Sequence, residues 1–416
     1  MRDPWVRHLE SATRVRVVLV AVGSRGDAVP FRALARRLVR DGHEAVLVTH
    51  ARFIGEVSDG VVEVPVHSDP DELLQGPAAQ ALRRGDLRGL NRSRDLFAAF
   101  LEACAAPATA VLPGADVLVA STFAMAAADE ALRRSVPVVR AHLWPEGSGA
   151  TGTLPLLPYS WVLPGAGRRV GRRAQSFIEP LLAGMDGWWE RGRLHVVPRR
   201  RVGFTTNTAG TMLAVSPTVV AWQGSDAAVT GWWVDADRRT VTAPVAATMA
   251  DGHDWLYVGF GSMPQASQER LAEMVDWVCS RLGVKAVLQI PGARFSSSES
   301  VMLIGHEPHQ DLFPRVRAAV HHGGSGTTAA VVRAGVPSVV VPHVADQFYW
   351  GHRLHVLGAA PRPLPRPVLT RLSLLRALQQ ALTSQMATCA GRLGAQVRDE
   401  DGTGAAVSFV ERAVRG

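Results

Sequence analysis

The sequence predicts an α/β chain made of two Rossmann-like, doubly wound parallel-sheet domains. Three observations carry that expectation. A β-branched run, "VRVVLVAVG" (Val15 to Gly23), leads into a glycine turn and then into helix-spaced apolar residues. The same order restarts at "DWLYVGFGSM" (Asp254 to Met263). The chain has 416 residues, more than one hydrophobic core usually holds, so two units of about 200 residues each are the natural division.

In order along the chain, Val15 to Gly23 reads as a strand buried on both faces. "GSRGD" (Gly23 to Asp27) is the turn, and Phe31, Leu34, Ala35 and Leu38 recur at helical spacing, with Pro30 expected in the first turn. "EAVLVTH", "VVEVPV", "ADVLVAST" and "SVPVVRAHL" supply further strands separated by helix-length segments. In the second half, an amphipathic helix ("ERLAEMVDWVCSRLG") is followed by strands "KAVLQI", "VMLIGH", "AAVHHG" and "SVVVP". The expected divisions are residues 14–223 for the first domain, 224–243 for an aperiodic linker rich in Gly, Pro and aromatics, 244–398 for the second domain, and 399–416 for a final helix.

Composition narrows the class. With 47% hydrophobic and 20% charged residues, the chain can build ordinary globular cores. The net charge of +8 is nearly all arginine, Lys285 apart, and it is scattered. The densest run, Arg199 to Arg201, lacks interleaved aromatics, which argues against nucleic acid as a partner. Cys104, Cys279 and Cys389 are far apart and odd in number, so buried free thiols in a reducing, cytoplasmic compartment are expected. The first apolar run is too short to span a bilayer; peripheral membrane contact stays open, as does a monomer or a homodimer.

The chemistry concentrates in "AVHHGGSGTTAAVVRAG" (Ala319 to Gly335). A strand, a glycine turn and a helix start leave several backbone N–H groups and a positive helix end aimed at one spot, where phosphate or another anion binds well. Ser325, Thr327 and Thr328 add hydroxyls, and neither the dinucleotide nor the P-loop glycine pattern is present. Alternation along the strand turns His321 to the side opposite His322, into packing or hydrogen bonding. In the first turn, Asp27 is a carboxylate at the sheet edge where open α/β sheets bind ligands, and it also suits a helix N-cap. His142 and Trp144 follow another strand and either line a pocket or sit in the core. Asp235 to Asp237 spell a D-x-D in the linker and read as solvated surface. Pro308 in "HEPH" spoils a helical zinc pair, so no metal is expected. Trp188, Trp189, Trp232 and Trp233 are assigned to core or interdomain packing.

The stretch "HHGGSGTTAAVVRAGVPSVVVPHVADQ", with spacing kept from His306 to Gln347, resembles the donor-binding segment of nucleotide-sugar-dependent glycosyltransferases of the GT-B fold. It is most similar to the sterol-glucosyltransferase and glycopeptide or macrolide antibiotic branch. The resemblance implies that His322 hydrogen-bonds the donor diphosphate, that Gly324, Ser325, Gly326 and Thr327 form the nest around it, and that Asp346 and Gln347 grip sugar hydroxyls. It places His306, Glu307 and His309 of "GHEPHQDLF" at the nucleobase and ribose, and Ser262 and Gly26 on phosphate-contacting loops. Plant relatives carry Trp where His306 stands. By the same resemblance Asp27 replaces the plant histidine as general base, Ser121 and Thr122 stand where that histidine's aspartate partner would be, and His142 and Trp144 line the acceptor pocket.

The implied activity is metal-independent, inverting transfer of a hexose or deoxyhexose from a UDP- or dTDP-sugar to a hydroxyl of a small lipophilic acceptor, without a resident cofactor. The final helix is expected to cross back to the first domain. Rival readings are transfer to a lipid-linked cell-wall intermediate, a nucleotide-sugar epimerase, and a non-catalytic binding partner. One physical difficulty accompanies the first reading: an aspartate with a pKa near 4 is a weak base unless its site raises it.

Overall fold

A computed structural model describes residues 14–54, 59–69, 94–145, 208–225, 227–235, 240–261, 268–290, 297–343 and 346–415. In chain order, the first half holds β1 (Arg16–Ala21), α1 (Arg25–Arg40), β2 (Glu44–His50), β3 (Val62–Val66), α2 (Arg94–Val111), β4 (Val117–Ser121), α3 (Met125–Arg133), β5 (Val138–His142), β6 (Gly210–Leu213) and β7 (Ala228–Val229). The second holds α4 (Ala243–Met249), β8 (Trp255–Gly259), α5 (Gln268–Leu282), β9 (Lys285–Gln289), β10 (Val301–Ile304), α6 (His309–Leu312), β11 (Ala318–His321), α7 (Ser325–Ala334), β12 (Ser338–Val340), α8 (Gln347–Val356), α9 (Arg371–Ala381), α10 (Ser384–Arg398) and α11 (Gly402–Arg415). Among the described residues, two parallel sheets form, in the orders β3-β2-β1-β4-β5-β6-β7 and β10-β9-β8-β11-β12. This is the doubly wound α/β architecture the sequence predicts.

Strand β1 shows why. Val17, Leu19 and Ala21 enter one core with Phe31, Leu34 and Leu38 of α1 and Val407 and Val410 of α11. Val18, Val20 and Val22 enter another on the opposite face, with Cys104 and Ala108 of α2 and Leu112 just past it. A central parallel strand covered on both faces has no polar side, which is what its unbroken β-branched run records. The second sheet is covered likewise: Leu256 and Val258 meet Val275 and Val278 of α5, while Trp255 and Tyr257 meet Phe313 and Val331. Helix α11 returns from the second half to pack on α1, where Glu411 pairs with His43 at 3.2 Å.

Several local expectations change. Ser24, not Asp27, is the N-cap of α1: its hydroxyl accepts from Gly26 N, and Asp27 answers from the N3 position in a capping box. Pro30 therefore falls inside the helix rather than in its first turn. Ala228 and Val229, within the span read as linker, pair with β6 because two residues are too few to show a period. Trp232 and Trp233 do pack as expected. Trp232 joins Trp350, Leu213 and Leu393 between the sheets, and Trp233 meets Phe31 edge-on at 5.4 Å. Cys104 and Cys279 are buried free thiols, whereas Cys389 is only partly covered. Trp188, Trp189 and Arg199 to Arg201 lie outside the described residues. Among the described residues, no helix is long and apolar enough to cross a membrane.

Candidate active site

The first-domain part of the site is the turn between β1 and α1. Gly23 adopts φ +138°, and a Cβ there would stand 2.5 Å from Asp27 Oδ2, so glycine lets the carboxylate fold back over the turn. That Oδ2 accepts from Ser24 N at 2.7 Å and from Ser24 Oγ at 2.9 Å. Burial pushes the Asp27 carboxyl up to about 6, outweighing the Ser24 hydrogen bonds that pull it down. Behind the turn, Gly23 N donates to His50 Nε2 at 3.1 Å, while His50 Nδ1 faces the Ser68 carbonyl at 2.7 Å. A carbonyl can only accept, so Nδ1 carries the proton and Nε2 is the acceptor. Gly26 is exposed, with its N–H turned to Ser24 Oγ at 3.1 Å.

Deeper on the same side, Thr122 Oγ1 meets His142 Nδ1 at 2.9 Å, and Ser121 Oγ accepts from Val22 N at 3.1 Å. His142 is buried, with Trp144 tilted against it at 6.4 Å between ring centres.

The second-domain part gathers at the carboxyl ends of β8, β11 and β12, three neighbouring strands. Gly261 and Gly323 take left-handed φ values of +57° and +85°. The His322 ring lies beside the Gly261 and Gly324 backbones: a Cβ on Gly261 would sit 3.2 Å from His322 Cε1, and one on Gly324 would collide with its Nε2. Gly324 is the N-cap of α7 and supplies no side-chain cap. The amides of Ser325, Gly326 and Thr327 therefore keep the orphan N–H character of a helix start. His322 Nδ1 is buried without a partner, and burial holds this imidazole down at about 4. His321 behaves as its alternation predicts, fully buried between Ser338 Oγ and Gly323 N, each 3.1 Å away.

Asp346 sits ahead of α8, with Trp350 Nε1 donating to its Oδ2 at 2.8 Å, and burial raises it to about 6. Gln347 is buried, its Oε1 accepting from His343 N at 2.8 Å. His306 is exposed, with Gln289 Nε2 3.0 Å from its Nδ1. His309 stacks on Phe313 at 4.5 Å and lies 3.3 Å from Tyr257 Oη; burial pushes it down to about 3. Glu307 turns away from this group: its carboxylate takes Thr242 N at 2.9 Å and Thr242 Oγ1 at 2.6 Å. Ser262 lies outside the described residues.

The two parts meet. Ser325 Oγ donates to the Leu143 carbonyl at 2.7 Å, and α1 packs against α7. The charge of Asp27 raises the Asp346 carboxyl, and that of Arg25 lowers His309, so both first-domain groups act across the cleft. An anion-accepting strand edge and helix start thus share the cleft with a desolvated carboxylate, whose charge reaches a second one. Such a set can hold a charged leaving group on one side and remove a proton on the other. Asp235 is not part of it. Its carboxylate pairs with Arg36, and among the described residues no group of three or more His, Cys, Asp or Glu side chains is placed to hold a metal ion.

Sequence reasoning passed over two groups. His343 closes the third strand end, its Nδ1 2.9 Å from the Val341 carbonyl and its Nε2 buried without a partner. His50 buttresses the Asp27 turn. The signal for both is position at the carboxyl edge, His50 as the last residue of β2 and His343 three residues past β12.

Comparisons with known proteins agree with this arrangement. Residues 17–128 match the Glycosyltransferase family 28 N-terminal domain, and residues 291–403 match the erythromycin biosynthesis protein CIII-like C-terminal domain. A sterol 3-beta-glucosyltransferase of Arabidopsis thaliana is 29% identical over 94% of this chain and 64% of its own, and one of Saccharomyces cerevisiae is 28% identical over 94% and 34%. The chain thus spans between about a third and two thirds of these relatives' lengths. Among solved structures, the glycosyltransferase of kitacinnamycin superposes with a TM-score of 0.68 at 21% identity, covering 96% of this chain and 99% of that one. VinC in complex with dTDP does so with a TM-score of 0.68 at 19% identity, covering 97% and 100%.

Proposed function

We propose that this chain, which belongs to the GT-B glycosyltransferases, is an inverting transferase. It moves a hexose or deoxyhexose from a UDP- or dTDP-sugar to a hydroxyl of a small lipophilic acceptor of the sterol or antibiotic-aglycone kind. The observation that carries this reading is the Ser325 Oγ hydrogen bond to the Leu143 carbonyl, which brings the His322 nest against the domain that holds the buried Asp27 carboxylate. The relatives' names support the acceptor class, and the thymidine diphosphate in two structural neighbours supports the donor class.

In this account the donor diphosphate lies against His322 and the amides of Ser325, Gly326 and Thr327, with Asp346 and Gln347 on the sugar hydroxyls. The acceptor enters past His142 and Trp144. Asp27 Oδ2 is held by Ser24, and Oδ1 takes the acceptor's proton as its oxygen attacks the anomeric carbon opposite the nucleotide. The raised pKa makes this aspartate a better base than an exposed one, which answers the difficulty noted from sequence. Charge growing on the departing diphosphate meets fixed N–H dipoles and an imidazole, and no step draws on a metal ion.

The test is isothermal titration with UDP, dTDP and GDP in the presence of EDTA, followed by mass-spectrometric screening of donors against sterol and polyketide acceptors. Binding of UDP or dTDP, loss of it in His322→Ala, and a hexose or deoxyhexose mass gain are expected. Failure to bind any of the three removes the donor site.

A further inference from the structure

The imidazoles of His322 and His343 follow the carboxyl ends of neighbouring strands, one residue past β11 and three past β12, and each has one ring nitrogen buried without a partner, Nδ1 in His322 and Nε2 in His343. They are close enough for the charge of one to act on the other. His343 is oriented by its own segment: Nδ1 faces the Val341 carbonyl at 2.9 Å, which fixes the proton there and leaves the Nε2 lone pair as the orphan. Phe260, which follows β8, lies 5.5 Å from the ring, and Arg366 adds a positive charge nearby. A buried ring nitrogen without a partner is costly, and here two neighbouring strand ends each carry one. A ligand that supplies acceptor oxygens, together with protons drawn from water, satisfies both at once. Each orphan nitrogen becomes an N–H, and each N–H meets an oxygen.

We infer that His343 is a second imidazole ligand of the donor diphosphate, paired with His322, and that donor binding draws protons onto this pair. The inference rests on the proposed donor site and adds to it a residue whose backbone N–H already holds the sugar-facing Gln347. The charged and titratable groups that interact with the pair are His343 and His322 themselves, Arg366, His309 and His321. In the empty protein, burial disfavours the charged form of both imidazoles, with the charge of His343 adding to this at His322 and that of Arg366 at His343. A diphosphate between them reverses the repulsive part of that balance, because each cation then has an anion to face.

The experiment is titration calorimetry with UDP-glucose and dTDP-glucose at pH 7, in buffers of low and high ionisation enthalpy. A diphosphate esterified at both ends has no proton to exchange near this pH, so a buffer-dependent enthalpy counts protons taken up by the protein. Asp27 and Asp346 titrate near the same range. The reading is therefore the difference between wild type and variants, not the total.

His343→Ala should weaken donor binding about 10-fold to 100-fold, the loss expected for a hydrogen bond to a charged group, and lower the proton count. His343→Gln keeps a polar group of similar reach and cannot take up a proton. It should bind within a few-fold of wild type yet show the same lowered count, a split that mere packing damage does not produce. Thermal melting confirms that both variants are folded. Wild-type affinity and proton count in both variants overturn the inference while leaving the donor site standing. A wild type that binds neither donor overturns both.

Discussion

Asp27, one turn into the first helix of one domain, lies close enough to Asp346, just ahead of a helix of the other, for its charge to raise the Asp346 carboxyl, and burial holds both near pKa 6. The charge of Asp27 adds to the rise at Asp346, so that shift depends in part on the two domains facing each other.

A base must be ionised to accept a proton, so transfer should rise with pH through about 6 and level off above about 7. Initial rates at saturating donor between pH 5 and pH 8 measure this. A profile already flat at pH 5 would assign proton removal to a different group.

Stability should run the opposite way. Between about pH 4 and about pH 6 the folded chain holds protons on these carboxyls that the unfolded chain has released, so stability falls as pH rises through that window. Asp27→Asn removes one buried charge and should raise the thermal midpoint at pH 8 while changing little at pH 4. A midpoint lowered at pH 8 would show that the charged form is favoured where it stands.

Gly324→Ala puts a methyl group into His322 Nε2 while the φ of −63° at this position accepts any residue. The clash alone should displace the imidazole and weaken nucleotide diphosphate binding about 10-fold, the scale of one charge-assisted hydrogen bond. Calorimetry with dTDP checks it, and unaltered affinity would separate His322 from the diphosphate.

His50 acts on the base only through the turn, by accepting the Gly23 N–H. His50→Gln can still accept and should retain most activity. His50→Leu cannot, leaves a buried N–H unpaired, and should lower kcat about 10-fold with donor affinity unchanged. An equal loss of kcat in both variants would mean that the ring's packing against Phe100, not its acceptor nitrogen, matters.

Much of this was legible in the sequence where one residue type has one physical use. The runs of β1 and β8, the glycine turns after them and the helix start at Ser325 announce two parallel sheets with an anion-accepting edge. What stayed hidden depends on three-dimensional neighbours. Ser24 and Asp27 are both good caps, and only the backbone geometry assigns the cap to Ser24 and leaves Asp27 at N3. Glu307 sits in a motif between two histidines, yet its carboxylate is drawn off by Thr242, sixty-five residues away. Nothing in "PHVADQ" distinguishes His343 from a packed histidine until its Nε2 is found without a partner.

The central claim is that Asp27 removes the acceptor's proton. It is tested most directly by the turnover of Asp27→Asn, assayed beside wild type with the same donor and acceptor and with donor affinity measured on the same samples. The account predicts transfer reduced by at least about 100-fold, the contribution of a positioned general base, with donor binding within a few-fold of wild type. Turnover at the wild-type rate would contradict it and move the role to His142, the buried imidazole held by Thr122.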